Sequence, residues 1–125
     1  MGFHGFQIQK DKITVKGEFQ KALEVFTNDY ELNYAGRTDA GVHAAGQVVS
    51  FRSDSSRLDC ERLVGALNSI CSTDIRVQAV TAVDDDFNAR FSATERMYHY
   101  FILNAPQADP LLADLEWHIP EPLDL

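Results

Sequence analysis

Long apolar runs are missing from this chain. No stretch of about 18 apolar residues occurs in its 125 positions, so the sequence offers no membrane-spanning helix. The opening residues, MGFHGFQIQK, lack the basic stretch and apolar centre of a secretory signal, and the cytoplasm is the expected compartment. Cysteine is scarce. Cys60 and Cys71 fall in what reads as one helix, separated by about 16 Å of helical rise, too far for a disulfide. They read as small buried or half-buried hydrophobes. The four histidines, His4, His43, His99 and His118, form no pair at metal-ligand spacing, and no metal is expected. Positive charge is also short. Eleven Lys and Arg stand against 19 acidic residues, for a net charge of −8, which argues against a nucleic-acid partner. That objection falls away if the basic residues gather on one face or if further protein supplies the contacts.

What is present suits a globular domain. Hydrophobic residues make up 45% and charged residues 24%, and the length is enough for a single domain, 1–125, with a real core. Thr14 can cap a helix reaching about Thr27, with Val15, Phe19, Ala22, Leu23 and Phe26 on one stripe. Gly17 weakens its first turn by about 1 kcal/mol relative to Ala. Strands are predicted over Glu31–Ala35, Gly46–Arg52, Ile75–Val83 and Glu95–Asn104. A second helix is predicted over Asp59–Cys71, after a Ser/Asp-rich linker, with Leu63, Leu67, Ile70 and Cys71 on one side. Beyond Pro106 the chain reads as an irregular tail. Two helices and about four strands imply an α+β fold, a mostly antiparallel sheet with helices packed on one face.

The segment that stands out chemically is Gly36-Arg37-Thr38-Asp39-Ala40-Gly41-Val42-His43. Its glycines permit a tight backbone that would push Asp39 toward a ligand. Arg37 lies two residues away, where its guanidinium could hold the carboxylate or reach a phosphate. An oriented carboxylate can serve as covalent nucleophile or general base. By local pattern alone, a plain Asp/Gly turn is the better fit to the segment.

A resemblance points to the catalytic reading. GRTDAGVHA followed by GQVVSF resembles the signature of the tRNA pseudouridine synthases of the TruA family. FNARFSATERMYHYFI resembles that family's second motif, an ARFSAT block followed by an aromatic strand. GFQIQ before the first helix is similar to the family's opening, and WHIPEPLD to its mid-protein linker. The resemblance spans essentially the whole chain and implies the ferredoxin-like half of a pseudouridine synthase. It implies that Asp39 is the catalytic aspartate and that Arg37 helps the target base leave the helical stack. It further implies that Tyr98 packs on the flipped uracil and takes part in proton transfer, and that Arg90 pairs with the catalytic carboxylate. Gln47 is a candidate RNA contact or simply a polar strand position.

The implied chemistry is cofactor-free isomerisation of uridine to pseudouridine on the 3′ side of the tRNA anticodon stem-loop, and full-length members are homodimers. Members usually begin with a strand ending in YDG and carry a second domain of comparable size. By this pattern the chain is a truncated half, with an exposed sheet edge and little or no activity expected in isolation. Asn88 stands where many members have histidine, with little effect expected. Two other readings stay open: a non-catalytic RNA-binding or assembly module or inactive fragment, and a plain α+β interaction domain.

Overall fold

In the computed structural model, which describes residues 2–28, 30–53 and 58–124, Thr14 caps the first helix as its sequence requires. Its backbone is extended (φ −134°, ψ 153°) and its hydroxyl accepts from the Gly17 N–H. Helix α1 then runs Val15–Glu24. Gly17 has a local reason. A Cβ there would sit 3.1 Å from Thr14 Oγ1, so the glycine lets the buried cap close. The helix ends short of the predicted Thr27, in a turn where the Phe26 and Thr27 N–H groups both donate to the Leu23 carbonyl.

Strand β1 (Leu32–Tyr34) pairs antiparallel with β2 (Val49–Phe51), Asn33 opposite Ser50. An Ala35 N–H bond to the Val48 carbonyl carries the pairing one step further. Helix α2 (Cys60–Ile70) starts on Asp59, whose carboxylate accepts from the N–H groups of Glu61 and Arg62. Of the linker predicted before it, residues 54–57 lie outside the described residues. The helices pack together through Ala22, Leu63, Leu67 and Cys71, with Phe19, Phe26, Phe51, Leu58, Ile75, Val77 and Val80 around them. Leu23 and Leu67 are fully buried, each stabilising the fold by about 1.5–3 kcal/mol. Ile70, predicted on the buried side, is instead 41% exposed at the edge of the stripe. Both cysteines are free thiols. Burial, with a smaller effect from Glu18, pushes the Cys71 thiol above its usual range.

The predicted strand Ile75–Val83 forms no ladder among the described residues. Its extended backbone leans on α2 instead, where the Asn68 amide imitates a neighbouring strand: Nδ2 donates to the Val77 carbonyl and Oδ1 accepts from the Val77 N–H, both at 2.8 Å. Ile75, Val77 and Val80 are half-buried, so the alternation holds for two residues and then slips.

These elements belong to the first of two compact units, Met1–Thr94 and Glu95–Leu125. In the second, only the end of the predicted strand Glu95–Asn104 is paired. There β3 (Ile102–Asn104) runs parallel to β4 (Trp117–Ile119), inside the stretch predicted to be an irregular tail. Asn104 holds the crossing: Nδ2 donates to the carbonyls of Ile119 and Glu121 at 2.9 and 2.7 Å. The protein is thus α+β, and its described residues form one antiparallel and one parallel strand pair.

Candidate active site

The loop between β1 and β2 carries Asp39 at its outer bend. The Val42 N–H donates to the Asp39 carbonyl at 3.2 Å, and Gly41, at the third position of that turn, has φ +83°. This is the type II pattern, which demands glycine there. The Asp39 side chain is therefore presented outward on a tight turn, and the residue is exposed.

Both flanks of this loop are held, and only one of the holding residues lies near it in sequence. Gln47 Nε2 donates to the Gly36 carbonyl at 2.8 Å, and Gln47 Oε1 accepts from the Val48 N–H. The Gln47 amide thus closes the loop across its base. From the far side, the Phe6 N–H donates to the Thr38 carbonyl at 2.9 Å. Gly5, at φ +88°, lies so close that a Cβ would meet the Thr38 carbonyl oxygen at 3.0 Å and the Ala40 nitrogen at 3.2 Å. Only glycine meets both demands, since positive φ and close approach each penalise a side chain. The Gly5–Phe6 pair is in turn fastened to the start of α1, where the Val15 and Lys16 N–H groups donate to the Gly5 and Phe6 carbonyls. Sequence reasoning missed Gly5 as a brace. Its signal was the glycine in GFQIQ, but the partner loop is more than 30 residues away.

Arg37 is exposed, and its guanidinium lies 5.8 Å from the centroid of the Tyr34 ring. Lys16 Nζ lies 5.0 Å from the same centroid, and the Phe6 ring packs against Tyr34 at 4.9 Å with a tilt of 56°. Arg37 points to this ring and forms no ion pair with Asp39 among the described residues.

Arg90 sits on a second turn of the same unit. Asn88 Oδ1 accepts from the N–H groups of Arg90 and Phe91, while the Asn88 N–H donates to Ser92 Oγ. Ser50 Oγ of β2 accepts from the Ala89 N–H at 3.0 Å and ties this turn to the sheet. Asn88, from which the sequence led us to expect little, therefore builds the turn that carries Arg90. The Arg90 guanidinium lies 5.3 Å from the Phe91 ring centroid. Tyr98 belongs to the second unit, ahead of β3, and is 65% exposed.

An open trough of about 600 Å³ lined by Ala82, Val83, Asp84, Asp86, Phe87 and Ser92 contains no residue of the Asp39 loop, and its carboxylates would repel an anionic substrate. Among the described residues, no cluster of three His, Cys, Asp or Glu could hold a metal ion, and no helix is long and apolar enough to cross a membrane.

The GRTDAGVHA string thus folds as a braced glycine turn with Asp39 exposed, and Arg37 lies against the Tyr34 ring and not on the carboxylate. The model of the family described as tRNA pseudouridine synthase matches residues 2–92. The chain belongs to the tRNA pseudouridine synthase family. It is 46% identical over 124 residues to a tRNA pseudouridine synthase A of Dictyoglomus thermophilum, covering 98% of this chain and 51% of the relative. Like-named relatives from Dictyoglomus turgidum and Thermotoga maritima are 43% and 40% identical, over 94% and 98% of this chain and 49% and 51% of their own lengths. The chain thus spans about half the length of these curated relatives. Within this pseudouridine synthase chain, the matched region includes both the Asp39 turn and the Asn88–Ser92 turn.

Proposed function

We propose that this chain supplies the catalytic-aspartate loop of a tRNA pseudouridine synthase that isomerises uridine in the anticodon stem-loop of tRNA. What supports the reading most is the intact GRTDAGVHA loop, with Asp39 exposed at a turn braced by Gln47, Phe6 and Gly5. In the reaction, the N1–C1′ bond of uridine breaks and a C5–C1′ bond forms. The hydrogen on C5 leaves to solvent and N1 takes up a proton, so atoms and charge balance without an oxidant or reductant. Asp39 acts as nucleophile or base at sugar or base. Arg37 helps to draw the nucleotide out of its stack, and Tyr98 gives the extruded uracil an aromatic face and a proton-transfer partner. Arg90 pairs with the carboxylate when substrate is bound, and Gln47 keeps the loop shut while lying near RNA. The working enzyme is a cytoplasmic homodimer.

The test is nucleoside analysis. Unmodified tRNA transcript is incubated with a chimera in which this chain replaces the matched half of the Dictyoglomus thermophilum relative, then digested and resolved by chromatography. A pseudouridine peak that maps to the anticodon stem-loop is the expected result. RNA binding with no pseudouridine would favour the non-catalytic module, a reading that the net charge of −8 leaves no easier, since that module too must hold phosphates.

A further inference from the structure

The geometry points to Tyr34 as a positioning residue that holds Lys16 and Arg37 as paired partners for the phosphates of an RNA backbone beside Asp39. This inference rests on the tRNA reading above and extends it to residues outside the two motifs. Both cations are within cation–π range of a single ring, Lys16 at 5.0 Å and Arg37 at 5.8 Å. The ring itself is fixed from two directions. Its backbone is paired to Val49 in the β1–β2 ladder, and Phe6, only 4% exposed, packs against its side.

Like charges brought to one ring repel each other, and an ordinary surface would place a carboxylate between them. Neither Lys16 nor Arg37 has a carboxylate partner among the described residues. Two cations gathered at one ring on a chain of net charge −8 concentrate positive charge where the rest of the molecule has an excess of negative charge. Such a field attracts an anion to one place and leaves the rest of the surface repelling it. The cations also share a scaffold with the catalytic turn. The Lys16 N–H donates to the Phe6 carbonyl, and the Phe6 N–H donates to the Thr38 carbonyl, each at 2.9 Å. A phosphate held by these side chains is therefore registered against Asp39 through two backbone hydrogen bonds. Guanidinium and ammonium groups both suit phosphate oxygens, and the exposed Arg37 can pivot to meet them while its stem stays near the ring.

The experiment measures binding of the full chain to an anticodon stem-loop transcript across a series of salt concentrations. Removing one cation that neutralises a phosphate should flatten the plot of log affinity against log salt by about 0.7 to 0.9. Lys16→Gln should flatten it by that amount. Tyr34→Leu should flatten it at least as much although it removes no charge, and Tyr34→Phe should restore most of the slope because the ring remains. Circular dichroism and melting of each variant check the fold, and Lys16→Gln keeps the test open if Tyr34→Leu unfolds. Unchanged slopes in Lys16→Gln and in a folded Tyr34→Leu would overturn the inference while leaving the isomerase reading intact. Failure of the native chain to bind the transcript at all would also overturn the inference, whereas the isomerase reading stands or falls on pseudouridine formed by the chimera.

Discussion

The loop around Asp39 and the stretch around Tyr98 differ in how much of the chain holds them. The first is tied at its base by Gln47, at its flank by Phe6, and pressed by Gly5. The second has no ladder before Ile102, and Met97, Tyr98, Tyr100 and Phe101 are 72, 65, 86 and 64% exposed. One motif is built by hydrogen bonds and packing inside its own unit. The other leaves its aromatic side chains to water, available to whatever covers them. A carboxylate that must attack one atom needs a fixed backbone, whereas an aromatic face for a base tolerates more freedom.

Substitutions can break that contrast. Gly5→Ala should have the largest effect on the braced side, because a Cβ meets Thr38 and the backbone stays at φ +88°. A destabilisation of about 1–3 kcal/mol is expected, read by urea unfolding, together with a fall in the isomerase rate of the chimera as the Asp39 turn moves. Gly2→Ala, with nothing within 4 Å of its added Cβ, is the control and should change neither. Asn68→Ala comes next, removing the two bonds that hold Val77. It should cost about 1–3 kcal/mol and speed hydrogen exchange at the Val77 amide, while leaving exchange at Phe6 unchanged. Smallest in stability is Tyr98→Ala. An exposed side chain in an unpaired stretch should shift the melting curve by no more than about 0.5 kcal/mol, yet lower turnover of tRNA by about tenfold or more if the ring stacks on the base. A large drop in stability would show that Tyr98 is packed in the protein's own core and end the contrast.

The same contrast explains what the sequence made legible. Both helices were readable, the first with its cap Thr14 and the second after its Ser/Asp-rich linker, because a helix-start signal and its helix are neighbours in the chain. β1 and β2 were readable as strands, but their pairing across residues 35–48 was not. Ile75–Val83 and the first residues of Glu95–Asn104 have strand composition but no ladder among the described residues, and propensity cannot supply a partner. In the opposite sense, β4 lay hidden in a Pro- and Asp-rich stretch, where its pairing with β3 depends on a crossing clasped by Asn104. The site divides in the same way. Asp39 and Arg37 stood out through motif resemblance, whereas Gly5, Lys16 and Ser50 meet partners distant in sequence, which no local pattern identifies.

Asp39 as the catalytic group is the centre of this picture, and tritium release from tRNA labelled at uridine C5 tests it most directly. The comparison is between the native chimera with the Dictyoglomus thermophilum half and the same protein carrying Asp39→Asn. Asparagine keeps the shape of the turn and removes the charge. Release by the native protein, reduced by more than about a thousand-fold in the variant with its fold intact, is the expected result. Equal release from the two proteins would contradict it and move the chemistry to another residue.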